Sequence, residues 1–233
     1  MKCPSCHSSK IKKNGHIHTG KQNYRCNTCG RQFVAEKQKK SIPAHDREII
    51  TRLFAERISL RGICRAMQVS LTWLLNFFTQ VMDDTPDDLG VTPPPKGKLT
   101  LELDEIWSFV GDKETKQWIW LAIDRHRHKI VGWYVGKRDT DAAQRLWDSL
   151  PGVYRQCAVC YTDFWDAYAN VIPSCRHRPV GKETGETSHI ERTNGTFRQR
   201  ISRLVRQTLS FSKKKKNHCR AIKYFIWQFN VGA

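Results

Sequence analysis

Leu99-Thr-Leu-Glu-Leu-Asp104-Glu-Ile-Trp107 decides the fold of this chain. Read as a strand, it sets Glu102, Asp104 and Ile106 on one face and Leu103, Glu105 and Trp107 on the other. Asp104 lies nearer the carboxyl end, where ligands of open α/β sheets gather, and is preferred to Glu102 as a ligand. Glu105 points the other way and reads as structural or solvated. A second run of the same kind, Cys157-Ala-Val-Cys-Tyr-Thr-Asp163, ends on Asp163. Its competitor, Asp166, lies a turn further on and faces solvent in this reading. A third carboxylate, Glu191, opens the Arg-rich segment Ser188-His-Ile-Glu-Arg-Thr-Asn-Gly195. Carboxylates at two strand ends and on one helix form the set that holds two Mg²⁺ (or Mn²⁺) ions about 4 Å apart for in-line attack at a phosphodiester.

Outward from these points, strands are predicted at 99–110, 117–123 and 129–135, the last two joined through Asp124–His128 as a hairpin. A helix is predicted over 140–150, a strand over 157–162 and a helical stretch from about Phe164. A short strand near 176–180 and a long helix near 187–207 complete the order. That order is the one found in ribonuclease H-like α/β folds, expected here over 99–233. On the long helix, Ile190, Phe197, Ile201, Leu204 and Val205 share an apolar face. Arg192, Arg200, Arg203 and Arg206 form a basic stripe, and Glu191, Asn194 and Arg198 share the seam between. These arginines and Asn194 are candidate DNA contacts. His189 and Asn194 are also candidates for placing a water or meeting the reacting strand. Cys157 and Cys160 fall on opposite strand faces and read as core. Lys213–Lys216 suits phosphate contact, and the segment from His218 suits a closing amphipathic helix.

Before the first run, Pro-rich residues 83–98 read as a linker. Residues 41–82 read as helices, the second capped by Ser59 and the third by Ser70. Their spacing resembles a helix-turn-helix, with Arg61 and Arg65 as candidate DNA contacts; an ordinary helical bundle or a dimer contact is the alternative. Residues 1–40 carry Cys3-x-x-Cys6 and Cys26-x-x-Cys29, the spacing of a zinc ribbon with one structural Zn²⁺. His7, His16 or His18 could replace a cysteine, but four thiolates suffice. The expected chain is thus multidomain: ribbon, helix-turn-helix, linker and α/β catalytic domain.

Charge supports a nucleic-acid partner. The formal net charge is +18, distributed as +11 over 1–82, −2 over each of 83–99 and 100–175, and +11 over 176–233. Basic ends attract polyphosphate by counterion release, and the acidic centre is where the ligand carboxylates lie. The opening residues lack the apolar core of a signal peptide, and no apolar run has the length of a membrane span. A cytoplasmic, nucleoid-associated location follows, with the nine cysteines as ligands or buried thiols.

The ribbon opening Met-Lys-Cys-Pro-x-Cys, the helix-turn-helix, Glu102-Leu-Asp-Glu-Ile-Trp107, Tyr161-Thr-Asp163 and His189-Ile-Glu-Arg-Thr-Asn-Gly195 together resemble the insertion-sequence-one family of transposases, found in bacteria. The resemblance covers nearly the whole chain. It implies a DDE triad at Asp104, Asp163 and Glu191, and two-metal strand cleavage and transfer at terminal inverted repeats and target DNA. It also implies a homo-oligomer, at least a dimer, in a bacterial or archaeal cell. Family members often make a short DNA-binding protein from the first half and the whole enzyme by frameshifting; here both halves form one chain. A non-catalytic DNA-binding repressor of the element and a ribonuclease H-like nuclease are the alternatives.

Overall fold

A computed structural model describes residues 1–34, 41–92, 98–204 and 211–232. The chain divides into two compact units, 1–44 and 45–233. Val205, Arg206 and the Pro-Pro-Pro run at 93–95 lie outside the described residues.

The first unit contains a three-stranded antiparallel sheet, β1 (Ile11–His16), β2 (Gln22–Cys26) and β3 (Gln32–Val34), in the order β1-β2-β3. Its apolar content is small, and Tyr24 and Phe33 pair across β2 and β3 with ring centroids 6.1 Å apart. Such a unit is too small to be held by burial alone.

The second unit begins with α1 (Ala44–Ala55), α2 (Leu60–Met67) and α3 (Leu71–Asp83). Both predicted caps form. Ser59 Oγ accepts from the Gly62 N–H at 3.0 Å, and Ser70 Oγ accepts from the Trp73 N–H at 3.2 Å. The turn between α2 and α3 passes through Gln68 in the left-handed region, at φ 51°.

A five-stranded sheet follows, built from β4 (Thr100–Val110), β5 (Asp112–Asp124), β6 (Lys129–Gly136), β7 (Val159–Thr162) and β8 (His177–Pro179). Its order is β6-β5-β4-β7-β8. β5 runs antiparallel to both of its neighbours, β4 and β6, while β7 runs parallel to β4 and β8 parallel to β7. Helices cover both faces. Leu101, Leu103, Trp120 and Ala122 pack on one side with α4 (Thr140–Ser149), α5 (Gly152–Cys157) and α6 (Asp166–Ala169). Ile106, Ile119, Leu121 and Ile123 pack on the other with α7 (Ser188–Arg200) and α8 (Lys215–Val231). The alternation predicted for the first strand therefore holds, and Glu102 and Asp104 face α7.

Three expectations change. The segment from 157 begins as the end of α5, and the strand starts at Val159; Tyr154 of α5 is buried and its hydroxyl donates to the Asp124 carboxylate at 2.7 Å. The predicted helix over 187–207 stops at Arg200, because Ile201 is extended (φ −94°, ψ 102°), and a single 3₁₀ turn covers Ser202–Leu204. Arg203 consequently leaves the stripe. Its Nη1 donates to Ser212 Oγ at 2.8 Å and to the Asn217 carbonyl at 3.2 Å, and burial lowers its guanidinium to about 10.

Residues 83–92, read from the sequence as part of a spacer, are pinned to α8. Arg220 pairs with Asp83 at 2.6 Å, Lys223 reaches Asp87 and the Thr85 carbonyl, and the Asn230 amide donates to the Leu89 carbonyl at 2.9 Å. Phe54 of α1 stacks on Phe78 of α3 (centroids 3.8 Å apart) and meets Tyr224 of α8 at 5.5 Å. The helices and the sheet thus share one compact unit.

Candidate functional site

The parallel pairing of β4 with β7 sets Thr100 against Val159, Leu101 against Cys160 and Glu102 against Tyr161. Continued by two residues, that register brings Asp104 level with Asp163 on the adjacent strand, at a strand separation of about 4.8 Å. α7 crosses the same face and carries Glu191 in its first turn. Asp104 is raised to about 6, first by burial, next by the charge of Glu105 and then by those of Asp163 and Glu191. The charges of Asp163 and Glu191 therefore both reach Asp104 through space.

Each is held differently. Both oxygens of Asp104 already have a donor: its Oδ1 accepts from the Glu105 N–H at 2.8 Å and its Oδ2 from Asn194 Nδ2 at 2.7 Å. Asp163 is half-exposed and accepts from the Trp165 N–H at 3.1 Å. Glu191 is exposed, with Thr187 Oγ1 at 3.4 Å. Arg138 Nη2 lies 4.0 Å from Asp163 and is the one cationic group within ion-pair reach of the triad among the described residues. That guanidinium is already engaged. It sits 2.5 Å from Glu105 Oε1 and lies over the Trp118 and Trp165 rings. Glu105 is buried, also accepts from the Tyr168 hydroxyl at 2.9 Å, and is structural as expected.

The arrangement suits an oxygen-seeking divalent cation. It offers mutually repelling carboxylates, and it contains Asn194 Oδ1, a buried oxygen without a hydrogen-bond partner among the described residues. The three carboxylates stand more widely than four groups around one ion; only the four cysteines, among the described residues, form a His/Cys/Asp/Glu set within 4.8 Å of one another.

Glu102 has a role that the strand alternation did not reveal. It is fully buried under the start of α7. One oxygen, Oε2, accepts from the His189 and Ile190 N–H groups at 2.9 Å each, and Oε1 meets His189 Nδ1 at 2.8 Å. Arg125 Nε approaches at 3.4 Å. Thr187, the N-cap, supplies no side-chain cap, so a carboxylate from β4 satisfies the helix start instead. This fixes the element bearing Glu191 to the strand bearing Asp104. The available signal was a charged residue on an inward strand face, which must find donors. Glu102→Ala is expected to cost on the order of 3–5 kcal/mol, because two backbone N–H groups and His189 lose their acceptor, and Glu102→Gln about half as much. Urea unfolding near neutral pH measures this; an alanine variant within about 1 kcal/mol of the parent would show that the cap is dispensable.

The predicted DNA contacts are distributed unevenly. Arg61, Arg65, Arg192 and Arg198 are exposed. Arg200 pairs with Glu56, in the turn after α1, at 2.7 Å and lies over Phe225. Arg203 is turned inward, Arg206 lies outside the described residues, and Asn194 is 5% exposed beneath α7. His189 is anchored on Glu102, and its ring lies tilted by 31° against that of His128 with centroids 4.8 Å apart.

In the first unit, the four predicted thiols converge. Cys3 and Cys29 are 3.6 Å apart at sulfur, and Cys6 and Cys26 are 3.5 Å apart. A zinc ion bound tetrahedrally at about 2.3 Å needs sulfurs at about this separation. The Cys29 backbone N–H turned toward its sulfur holds Cys26 down, to about 6, while the neighbouring sulfurs of Cys29, Cys26 and Cys3 push Cys6 up. The mixed α/β architecture with an N-terminal Cys₄ cluster is thus consistent with a zinc ribbon.

Comparison with known proteins agrees. The family model described as "IS1 transposase" matches residues 98–230. The protein "Insertion element iso-IS1n protein InsB" of Shigella dysenteriae is 34% identical over 130 residues, covering 55% of this chain and 94% of that protein. "Insertion element IS1 protein InsB" of Shigella flexneri is 34% identical over 125 residues, 54% of this chain and 92% of its own length. "Insertion element IS1 9 protein InsB" of Escherichia coli (strain K12) is 32% identical over 156 residues, 66% of this chain and 90% of its own length.

Proposed function

The chain belongs to the IS1 transposase family, and on that premise we propose that it cleaves and joins DNA at the terminal inverted repeats of its element by a DDE mechanism. Asp104, Asp163 and Glu191 would hold two Mg²⁺ ions, or Mn²⁺ in their place. When bound, the ions supply an activated attacking oxygen and a stabilised leaving oxygen for in-line displacement. The chain's own residues set this up. The Glu105 N–H and Asn194 fix Asp104, and Glu102 clamps the start of α7 so that Glu191 faces the strand ends. The carrying observation is that Asp104 lies level with Asp163 in the β4–β7 register while Asn194, one turn from Glu191 on α7, donates to Asp104. The strand order supports a ribonuclease H-like reading of 99–233.

In the same reading, Cys3, Cys6, Cys26 and Cys29 hold one structural Zn²⁺ in a ribbon over 1–40. α2 and α3 act as a helix-turn-helix within 41–82. Arg61, Arg65, Arg192 and Arg198, all exposed, meet the DNA backbone. Two element ends must be brought together, so the working form is at least a dimer. Double-stranded DNA as partner places the protein at the nucleoid of a bacterial or archaeal cell. Among the described residues no helix is long and apolar enough to cross a membrane.

The test is a transposition assay: the chain supplied in trans to a marker flanked by its own element's ends, beside Glu191→Gln. Movement with the parent and none with the variant is the expected result. Tight end binding without movement by either chain would replace the enzyme with a DNA-binding repressor. Cleavage of RNA–DNA hybrids in preference to element ends would favour a nuclease.

A further inference from the structure

Asn194 stands one helical turn after Glu191 on α7 and is 5% exposed. Its Nδ2 donates to Asp104 Oδ2 at 2.7 Å. Its Oδ1 is buried with no partner among the described residues. A buried amide oxygen left without a donor costs free energy comparable to a lost hydrogen bond, so an occupant that supplies positive charge or a donor is favoured there. The same amide is held against the Asp104 carboxylate, which offers no proton when ionised. A divalent cation, or a water bound to it, is the occupant that satisfies the amide oxygen and the carboxylates together. A duplex contact is less suited to this geometry, since the side chain lies beneath the helix and its donor is already committed to Asp104.

We propose that Asn194 belongs to the cation-holding set rather than to the DNA-contacting one, its amide fixing Asp104 while its free oxygen serves the ion. The proposal rests on the metal-dependent reading above and adds a neutral fourth oxygen to the three carboxylates. Asn194 is thereby a positioning residue for Asp104, and its loss acts on metal affinity before it acts on DNA affinity.

Mn²⁺ binding to the full chain, measured by calorimetry, tests this with Asp104→Asn as the reference. Binding should vanish in Asp104→Asn and weaken about 10-fold or more in Asn194→Leu, the range seen when groups supporting metal ligands are removed. Affinity of Asn194→Leu for the element ends, measured without divalent cation, should stay within about twofold of the parent, as expected of a residue that makes no phosphate contact. Unchanged Mn²⁺ affinity in Asn194→Leu, with or without weakened DNA binding, overturns the proposal while the carboxylate site stands. Unchanged Mn²⁺ affinity in Asp104→Asn removes the cation from the triad, and the reading of the preceding section falls first. Asn194→Ala, smaller and free of steric demand, is the second variant. If neither variant folds in metal-free buffer, the amide is a packing element and the proposal is overturned.

Discussion

Asp104→Asn is expected to lower strand cleavage by at least about 10³-fold while making the metal-free protein harder to unfold at pH 8. The two effects have one origin. Burial and the surrounding carboxylates raise Asp104 from an ordinary 3.8 to about 6. At pH values below the unfolded value both states hold the proton, and the group contributes nothing. Between the two values the folded chain keeps a proton that the unfolded chain has lost, so stability falls as pH rises. Above pH 6 the whole penalty is present, about 2–3 kcal/mol for a shift of this size. The substitution removes the charge and keeps the shape. Asn194 can turn its free oxygen toward the new amide, so the hydrogen bond survives. Thermal melting in magnesium-free buffer at pH 8 should rise by roughly 5–10 °C, and the gain should vanish near pH 4. End binding should stay nearly intact. A variant that cleaves at more than about a tenth of the parental rate removes Asp104 from the chemistry.

Loss of zinc should have the second large effect, confined to the first unit. The four sulfurs converge around a point where little else holds the strands, so metal binding and folding are one equilibrium there, worth about 10–16 kcal/mol in small zinc modules. Cys26→Ser, or a strong chelator, should unfold residues 1–34 and leave the melting of unit 45–233 unchanged. Lys12, Lys13, Lys21, Arg25 and Arg31 then lose their fixed positions, and end binding should weaken on the order of 10–100-fold at moderate salt. Zinc content measured by atomic absorption, with heteronuclear NMR of the ribbon resonances, checks both halves. One zinc per chain and unchanged binding in Cys26→Ser would defeat the assignment.

Much of this was legible in the sequence because it depends on local periodicity. Alternation placed Glu102 and Asp104 on one strand face, Ser59 and Ser70 announced their helices, and the cysteine spacing announced the cluster. What could not be read depends on which distant element lies opposite. Glu102 was weighed only as a ligand, second to Asp104, because nothing near it in sequence reveals the start of α7, 87 residues away. Arg203 fitted a helical stripe only if the helix continued, and an extended Ile201 ends it. Residues 83–92 looked like a spacer by composition, yet Arg220, Lys223 and Asn230 supply partners from the far end of the chain.

That last connection bears on synthesis. Phe54 and Phe78 complete their packing against Tyr224, and Asp83 finds its arginine at position 220. A ribosome that has just made α3 still has more than half of the chain to translate before this partner emerges. Contacts of such long sequence separation close late. The packing of α1 and α3 is therefore completed only once α8 has been made. A nascent chain stalled or terminated within the sheet leaves Phe54, Phe78 and Asp83 without that support.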